Sequence, residues 1–194
     1  MRKITAVESV TLDGVMQAPG AREEDTRGGF EQGGWGRAYA DPTLFEKRSK
    51  NMAGTSLLLG RQTYENFYSY WPHARQPNPF TEVLNNTQKY VASTTLAEPL
   101  PWMNSTLISG DAGDAVTSLK SEPGNDLVIL GSGELVQSLM RRRLIDEFVL
   151  SVHPLVLGSG RRLFPDGIGA TTLRLIDSEP TATGVIIATY GFSD

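Results

Sequence analysis

The chain has 194 residues, 22 acidic against 18 basic side chains, a net charge of −4, two His and no Cys. At roughly 100–200 residues per domain this is one domain, long enough to build its own core. The missing Cys excludes a disulfide framework, a zinc–thiolate or iron–sulfur centre and a Cys nucleophile, and two distant His suggest no metal site. Mild acidity argues against nucleic acid as a partner, and no apolar run approaches the ~20 residues that span a bilayer. The opening MRKITAVESVTLDG has no apolar signal-peptide core, so a soluble cytoplasmic protein is expected.

Short β-rich runs alternate with helical stretches, which predicts an α/β domain with helices on both faces of a sheet. Residues 3–10 (KITAVESV) alternate and read as a first strand, with one face turned to solvent or to a site. TLDGVMQAPG is a turn-rich exit. Residues 20–41 carry six Gly and no helical or strand period. Disorder is one reading of such a tract. Its interleaved Phe30, Trp35 and Tyr39 favour the other, an ordered loop near a ligand. Asp41-Pro42 has the form of an N-cap and first helical residue, opening a helix to about Met52.

SLLL at 56–59 is a short buried strand ended by Gly60. TYENFYSY starts a helix at Thr63 that stops before Trp71-Pro72. Residues 72–79 form a Pro-rich loop, and Asn78-Pro79 caps a further turn to Asn85. KYVAS at 89–93 and TLIS at 106–109 are strands, and 115–120 is a short helix. LVIL at 127–130 has the apolar continuity of a central buried strand. The helix at 134–143 places Leu135, Val136, Leu139 and Met140 on one face, with three Arg in its last turn. EFVLSV at 147–152 is another strand. Strands at 172–176 and 185–190 form an antiparallel hairpin, because no crossover helix fits between them.

Three strand ends carry groups suited to anions. LVILGSGELVQSLM runs from a strand through Gly131-Ser132-Gly133 directly into a helix, whose free N–H groups and positive dipole end suit a phosphate. A plain glycine turn is the alternative, and Val136 at the third glycine position departs from the dinucleotide fingerprint of a Rossmann-type dehydrogenase. SLLLGRQTYENF sets Arg61 and Thr63 at a helix start after Gly60, and VASTTL sets Ser93 and Thr94 at another strand end, where a local hydroxyl turn is the simpler reading.

GRQTYENF after an apolar strand and LVILGSGELVQSLM resemble the corresponding junctions of the dihydrofolate reductase fold. TLDGVMQAPG, GGWGRAYADP and HPLVLGSGRRLFPDG resemble the reductase domain of riboflavin-biosynthesis deaminase-reductases and its stand-alone bacterial relatives. The resemblance covers residues 3–192 in order. It implies a single reductase domain over 1–194, a mixed, mostly parallel sheet with a C-terminal hairpin, NADPH as hydride donor, and a homodimer. It implies reduction of a small heterocycle, such as a phosphoribosylaminouracil-like or other ribosylaminopyrimidine compound or a pterin or folate. The second reading is a non-catalytic nucleotide- or ligand-binding module that kept the fold.

By the same resemblance, Gly131, Ser132, Gly133 and Glu134 surround the NADPH pyrophosphate. Gly60, Arg61 and Thr63 lie near the adenosine phosphates, with Ser93 and Thr94 close to the ribose 2′-phosphate. Val7, Asp13, Gly14 and Met16 border the nicotinamide, and Asp13, Trp35, Tyr39, Val152 and His153 meet the substrate. The position of the folate reductases' helix carboxylate falls on Leu44. Asp13 is then the candidate catalytic residue, for substrate binding or proton relay, with an Asp-Gly turn as the alternative. A structural His153 and a solvated His73 are expected. The zinc deaminase activity of the bifunctional enzymes is excluded, since this chain has no Cys ligands.

Overall fold

The computed structural model describes residues 1–75 and 79–193. The strands are β1 (Ile4–Thr11), β2 (Ser56–Gly60), β3 (Lys89–Ala92), β4 (Ser105–Ile108), β5 (Leu127–Leu130), β6 (Glu147–His153), β7 (Leu173–Pro180) and β8 (Ile186–Phe192). They form one sheet in the order β4-β3-β2-β5-β1-β6-β8-β7. β4 through β6 are mutually parallel, and the β7–β8 hairpin adds antiparallel to β6. The helices are α1 (Pro42–Met52), α2 (Arg61–Tyr70), α3 (Pro79–Asn86), α4 (Ala112–Ser121) and α5 (Gly133–Arg141). Asn78, expected to cap the turn before α3, lies outside the described residues.

Side-chain alternation along the parallel strands divides the core into two layers. Leu58 and Ile129 pack with Val116 and Leu119 of α4 and with Leu135, Val136 and Leu139 of α5. Leu57 and Leu59 pack the other way, with Tyr64 of α2 and Leu84 of α3. Val7 and Val128 meet Leu44 of α1 on that side. Burial on both faces explains why β2 and β5 read as continuous apolar runs rather than alternating ones.

Local chemistry fixes the ends of the elements. Asp41 caps α1 by accepting from Thr43 N at 2.8 Å, ahead of Pro42. Its second oxygen accepts from Ala182 N, which ties the helix start to the β7–β8 turn. Asp111 caps α4 in the same way, so that helix starts at Ala112, one turn earlier than its apolar pattern indicates. Lys89 is buried. Its Nζ donates to the carbonyls of Leu84, Asn85 and Thr87 around the end of α3, and lies 4.4 Å from the Trp102 ring centroid.

Of the two alternatives for β1, the solvent face is excluded and the site remains: the strand lies between β5 and β6, and all of it but Thr5 is buried, so its polar residues are interior. Two expectations of extent change. α2 begins at Arg61 rather than Thr63, with Gly60 as its N-cap. β7 runs to Pro180 through an irregularity between Leu175 and Asp177. It is a largely exposed edge strand whose second half, with Asp177, Ser178 and Glu179, is polar, which conceals its length from a hydrophobic pattern.

The glycine-rich tract is ordered. It contains short 3-10 turns at Arg27–Gly29 and Trp35–Tyr39. Phe30 and Trp35 are buried against Val15 and Ala18, and Trp35 Nε1 donates to Gln17 O at 2.7 Å. Gln17 Nε2 donates in turn to the carbonyls of Asp25 and Arg27. These bonds satisfy backbone groups that no regular element serves.

Candidate active site

A cavity of about 760 Å³ opens at the carboxyl ends of the parallel strands, where open α/β sheets bind ligands. Val7, Glu8 and Ser9 come from β1, Gly60 to Thr63 from the β2–α2 junction, and Ser93 and Thr94 from the end of β3. Gly131 to Glu134 come from the β5–α5 junction, and Met16, Glu24 and Arg27 close the side formed by the loops. The three strand ends singled out from the sequence therefore meet around one space.

At the β5–α5 junction, Gly131 has φ +66° and Ser132 φ +62°. Two consecutive left-handed residues turn the chain sharply between β5 and α5, and Gly131 N donates to Val7 O at 3.2 Å. Ser132 makes no side-chain cap to α5, and its Oγ instead accepts from Gly60 N at 3.0 Å. That bond fastens two of the phosphate-type turns together. Among the described residues, no side chain caps the first turn of α5 in its place. Glu134 stands beside these amides and is itself paired with Arg27 at 3.1 Å and with Arg161.

Arg61 and Thr63 line the same wall, with Arg61 paired to Glu65 one turn along at 3.0 Å. Ser93 Oγ accepts from the amides of Thr95 and Leu96, so the local hydroxyl turn is formed and still borders the cavity.

Asp13, Gly14, Trp35, Tyr39, Val152 and His153 are not among the cavity's lining residues. The Asp13 carboxylate accepts from Thr11 Oγ1 at 2.6 Å and from the amides of Leu157 and Gly158 at 3.2 and 2.8 Å. The Thr11 bond foremost, with those amides, holds its carboxyl down at about 2. A permanently ionised group that clamps one loop to another is not suited to proton relay. The Asp-Gly turn, closed by Gly14 N donating to Thr11 O, is what the structure contains.

His153 is buried with Nδ1 at 2.9 Å from Ser151 O, and the rings of Trp35 and Tyr39 stand edge-on to it. Burial pulls its pKa down. It is the core of an aromatic cluster that supports the loop from behind. Val152 shares its strand end and is half-buried.

Glu8 and Arg48 were not singled out from the sequence, and both reach the cavity. Glu8 is 5% exposed, and its Oε1 has no hydrogen-bond partner among the described residues. Burial drives its pKa up to about 8, with Arg48 opposing and Glu24 assisting. Arg48 Nη2 donates to Ser9 Oγ at 2.7 Å while its Nε is unpartnered. The available signal was a carboxylate inside an otherwise central strand.

No group of three or more His, Asp or Glu suited to a metal ion occurs among the described residues, and no described helix is long and apolar enough to cross a membrane.

Comparison with known proteins agrees with this architecture. The chain is 28% identical over 192 residues to the uncharacterized protein YyaP of Bacillus subtilis strain 168, spanning 97% of this chain and 94% of that protein. It is 35% identical over 120 residues to YwjB of the same organism, covering 62% of this chain and 64% of that one. A crystal structure from Shewanella sp. PV-4, provisionally named a riboflavin biosynthesis protein, superposes over the full length of both chains with a TM-score of 0.74 at 24% identity, which is a likeness of fold. The sequence pattern of the RibD C-terminal domain matches residues 2–187, and the chain belongs to that reductase-type family.

Proposed function

We propose that the protein is an NADPH-dependent reductase of a small heterocycle, a ribosylaminopyrimidine or a pterin-like compound. The observation that carries this reading is the uncapped start of α5, opening through Gly131-Ser132-Gly133 into a cavity shared by three strand ends. Amides at a helix start with no protein acceptor form a ready anion site, and the cavity volume falls within the ~300–1,000 Å³ typical of small-molecule sites.

The residues fit the cofactor. Gly131 to Gly133 would hold the pyrophosphate, and Arg27 and Arg161 would add positive charge beside it. Arg61, Thr63, Ser93 and Thr94 would hold the adenosine end. Val7 and Met16 would border the nicotinamide ring, which supplies the hydride. The chain's own contribution is to place the two partners, exclude water and deliver a proton.

A binding-only module is the second reading. The commitment of Asp13 to a loop clamp favours it, since that removes the first candidate for proton transfer. Loss of NADPH absorbance in the presence of dihydropteridine and ribosylaminopyrimidine probes separates the two: turnover supports the reductase, and tight binding without turnover supports the module. Arg61→Ala is expected to weaken NADPH about 10–150-fold, the equivalent of one charge-assisted bond of about 1.5–3 kcal/mol, and to leave NADH nearly unchanged. Equal losses in calorimetric Kd for both would show that Arg61 does not read the extra phosphate.

A further inference from the structure

Two polar side chains that line the cavity each carry a buried atom without a partner, although Arg48 also donates to Ser9 Oγ. Glu8 presents an unpartnered Oε1 and Arg48 an unpartnered Nε; among the described residues, the other buried side-chain atoms in that state are Asn51 Nδ2 and Ser105 Oγ. Burying an unpartnered polar atom is costly, so its retention beside a cavity calls for a ligand rather than for packing. Both side chains line that cavity, and Val7 on the same strand is the residue set against the nicotinamide in the reading above.

Hydride delivery to a C=N or C=O bond leaves an electron pair on the heteroatom, which must be protonated. We propose that Glu8 is the catalytic proton donor of this reduction, a role that rests on the reductase reading. The hydride of the reduced nicotinamide forms the new C–H bond. The π pair moves to nitrogen or oxygen and takes the Glu8 proton. The nicotinamide leaves oxidised, and the Glu8 carboxylate recovers its proton from solvent.

The surroundings suit each state of the group. Burial holds the carboxyl protonated to about 8, so at neutral pH it is an acid with a donor hydrogen. Arg48, packed from α1, favours the carboxylate once the proton has left, and Glu24 from the loop disfavours it. Those are the charges that act on it directly. Farther along the lining, Asp25 and Arg27 form their own pair at 2.6 Å; His153 lies outside the lining, and burial lowers its pKa. Substrates of this site are thereby narrowed to heterocycles whose reducible bond ends in a basic nitrogen or a carbonyl oxygen.

The test compares the wild-type chain with Glu8→Gln across pH. The expected result is that kcat of the wild type falls as pH rises through about 8, while Glu8→Gln loses that limb and about 10²–10⁴-fold in kcat, with NADPH Kd unchanged. An infrared carboxylic-acid carbonyl band that vanishes through the same pH range, and is absent in Glu8→Gln, supports the assignment independently of turnover. A wild type that reduces its substrate while Glu8→Gln does so equally well, with the same pH profile, overturns the proton-donor role and leaves the reductase reading standing. A wild type that oxidises NADPH with none of the probes overturns the reductase reading and the role together.

Discussion

Gly131→Val is expected to weaken NADPH binding by at least about 100-fold while the chain still folds, since losing two charge-assisted bonds of about 1.5–3 kcal/mol each suffices. Gly131 sits at φ +66°, followed by Ser132 at φ +62°. A β-branched residue in the left-handed region is strained by about 1–3 kcal/mol. The added Cβ would also lie 3.5 Å from Thr63 Cγ2, before the two further methyl groups are placed. The turn must therefore rotate. Rotation redirects the amides that begin α5 and disturbs the Ser132 Oγ bond to Gly60 N, the link between two of the turns that border the cavity. Gly131→Ala carries the dihedral strain with little crowding and is expected to fall between. Fluorescence titration gives the affinity and thermal melting the cost in stability; an unchanged Kd in the valine variant would remove the β5–α5 turn from cofactor binding.

Gly33→Ala should detach the loop that walls the cavity. A Cβ there would stand 2.3 Å from Arg22 O and 2.8 Å from Ala21 O, both backbone atoms that no rotamer change can move aside. Either the 21–22 segment or the 33–34 segment has to shift. Overpacking of this kind costs about 1–3 kcal/mol, and more where backbone is involved. The same loop brings Glu24, Asp25 and Arg27 to the cavity. The variant is expected to melt several degrees lower, to be cut faster by trypsin at Arg22 and Arg27, and to bind NADPH more weakly through loss of the Arg27 side. Trypsin cleavage at the wild-type rate would show that the loop tolerates the shift without opening.

Glu8 also marks the protein's stability with a pH signature. Its folded pKa is raised to about 8 from an ordinary 4.5, so the folded state holds a proton that the unfolded state releases. Stability from this group is fully present below about 4.5 and is lost as pH climbs through 8. The advantage of Glu8→Gln in melting temperature should therefore grow with pH over that window.

Much of the fold is written in local patterns. LVIL announces a strand buried on both faces, and Asp41-Pro42 announces a helix start, because propensity and capping act over a few residues. The strand–turn–helix junctions at Gly60 and Gly131 are legible for the same reason. The hairpin follows from a gap too short for a crossover. What escapes is decided by distant partners. Asp13 is committed by amides of Leu157 and Gly158, some 145 residues on, which turns a proton-relay candidate into a clamp. Glu8 reads as a polar position on a face turned to solvent or to a site, and only the flanking β5 and β6 exclude solvent. Arg48 lies in a helix rich in charge, where nothing local separates the one that turns inward. Trp35 and Tyr39 are rightly marked as ordering residues, but their rings meet His153 behind the sheet end instead of the cavity.

The most direct measurement is a titration of the wild-type chain with NADPH, followed by energy transfer from its three Trp. The account predicts a saturable signal with one site per chain, lost in Gly131→Val. Absence of saturation up to millimolar NADPH, with the protein folded, would contradict it.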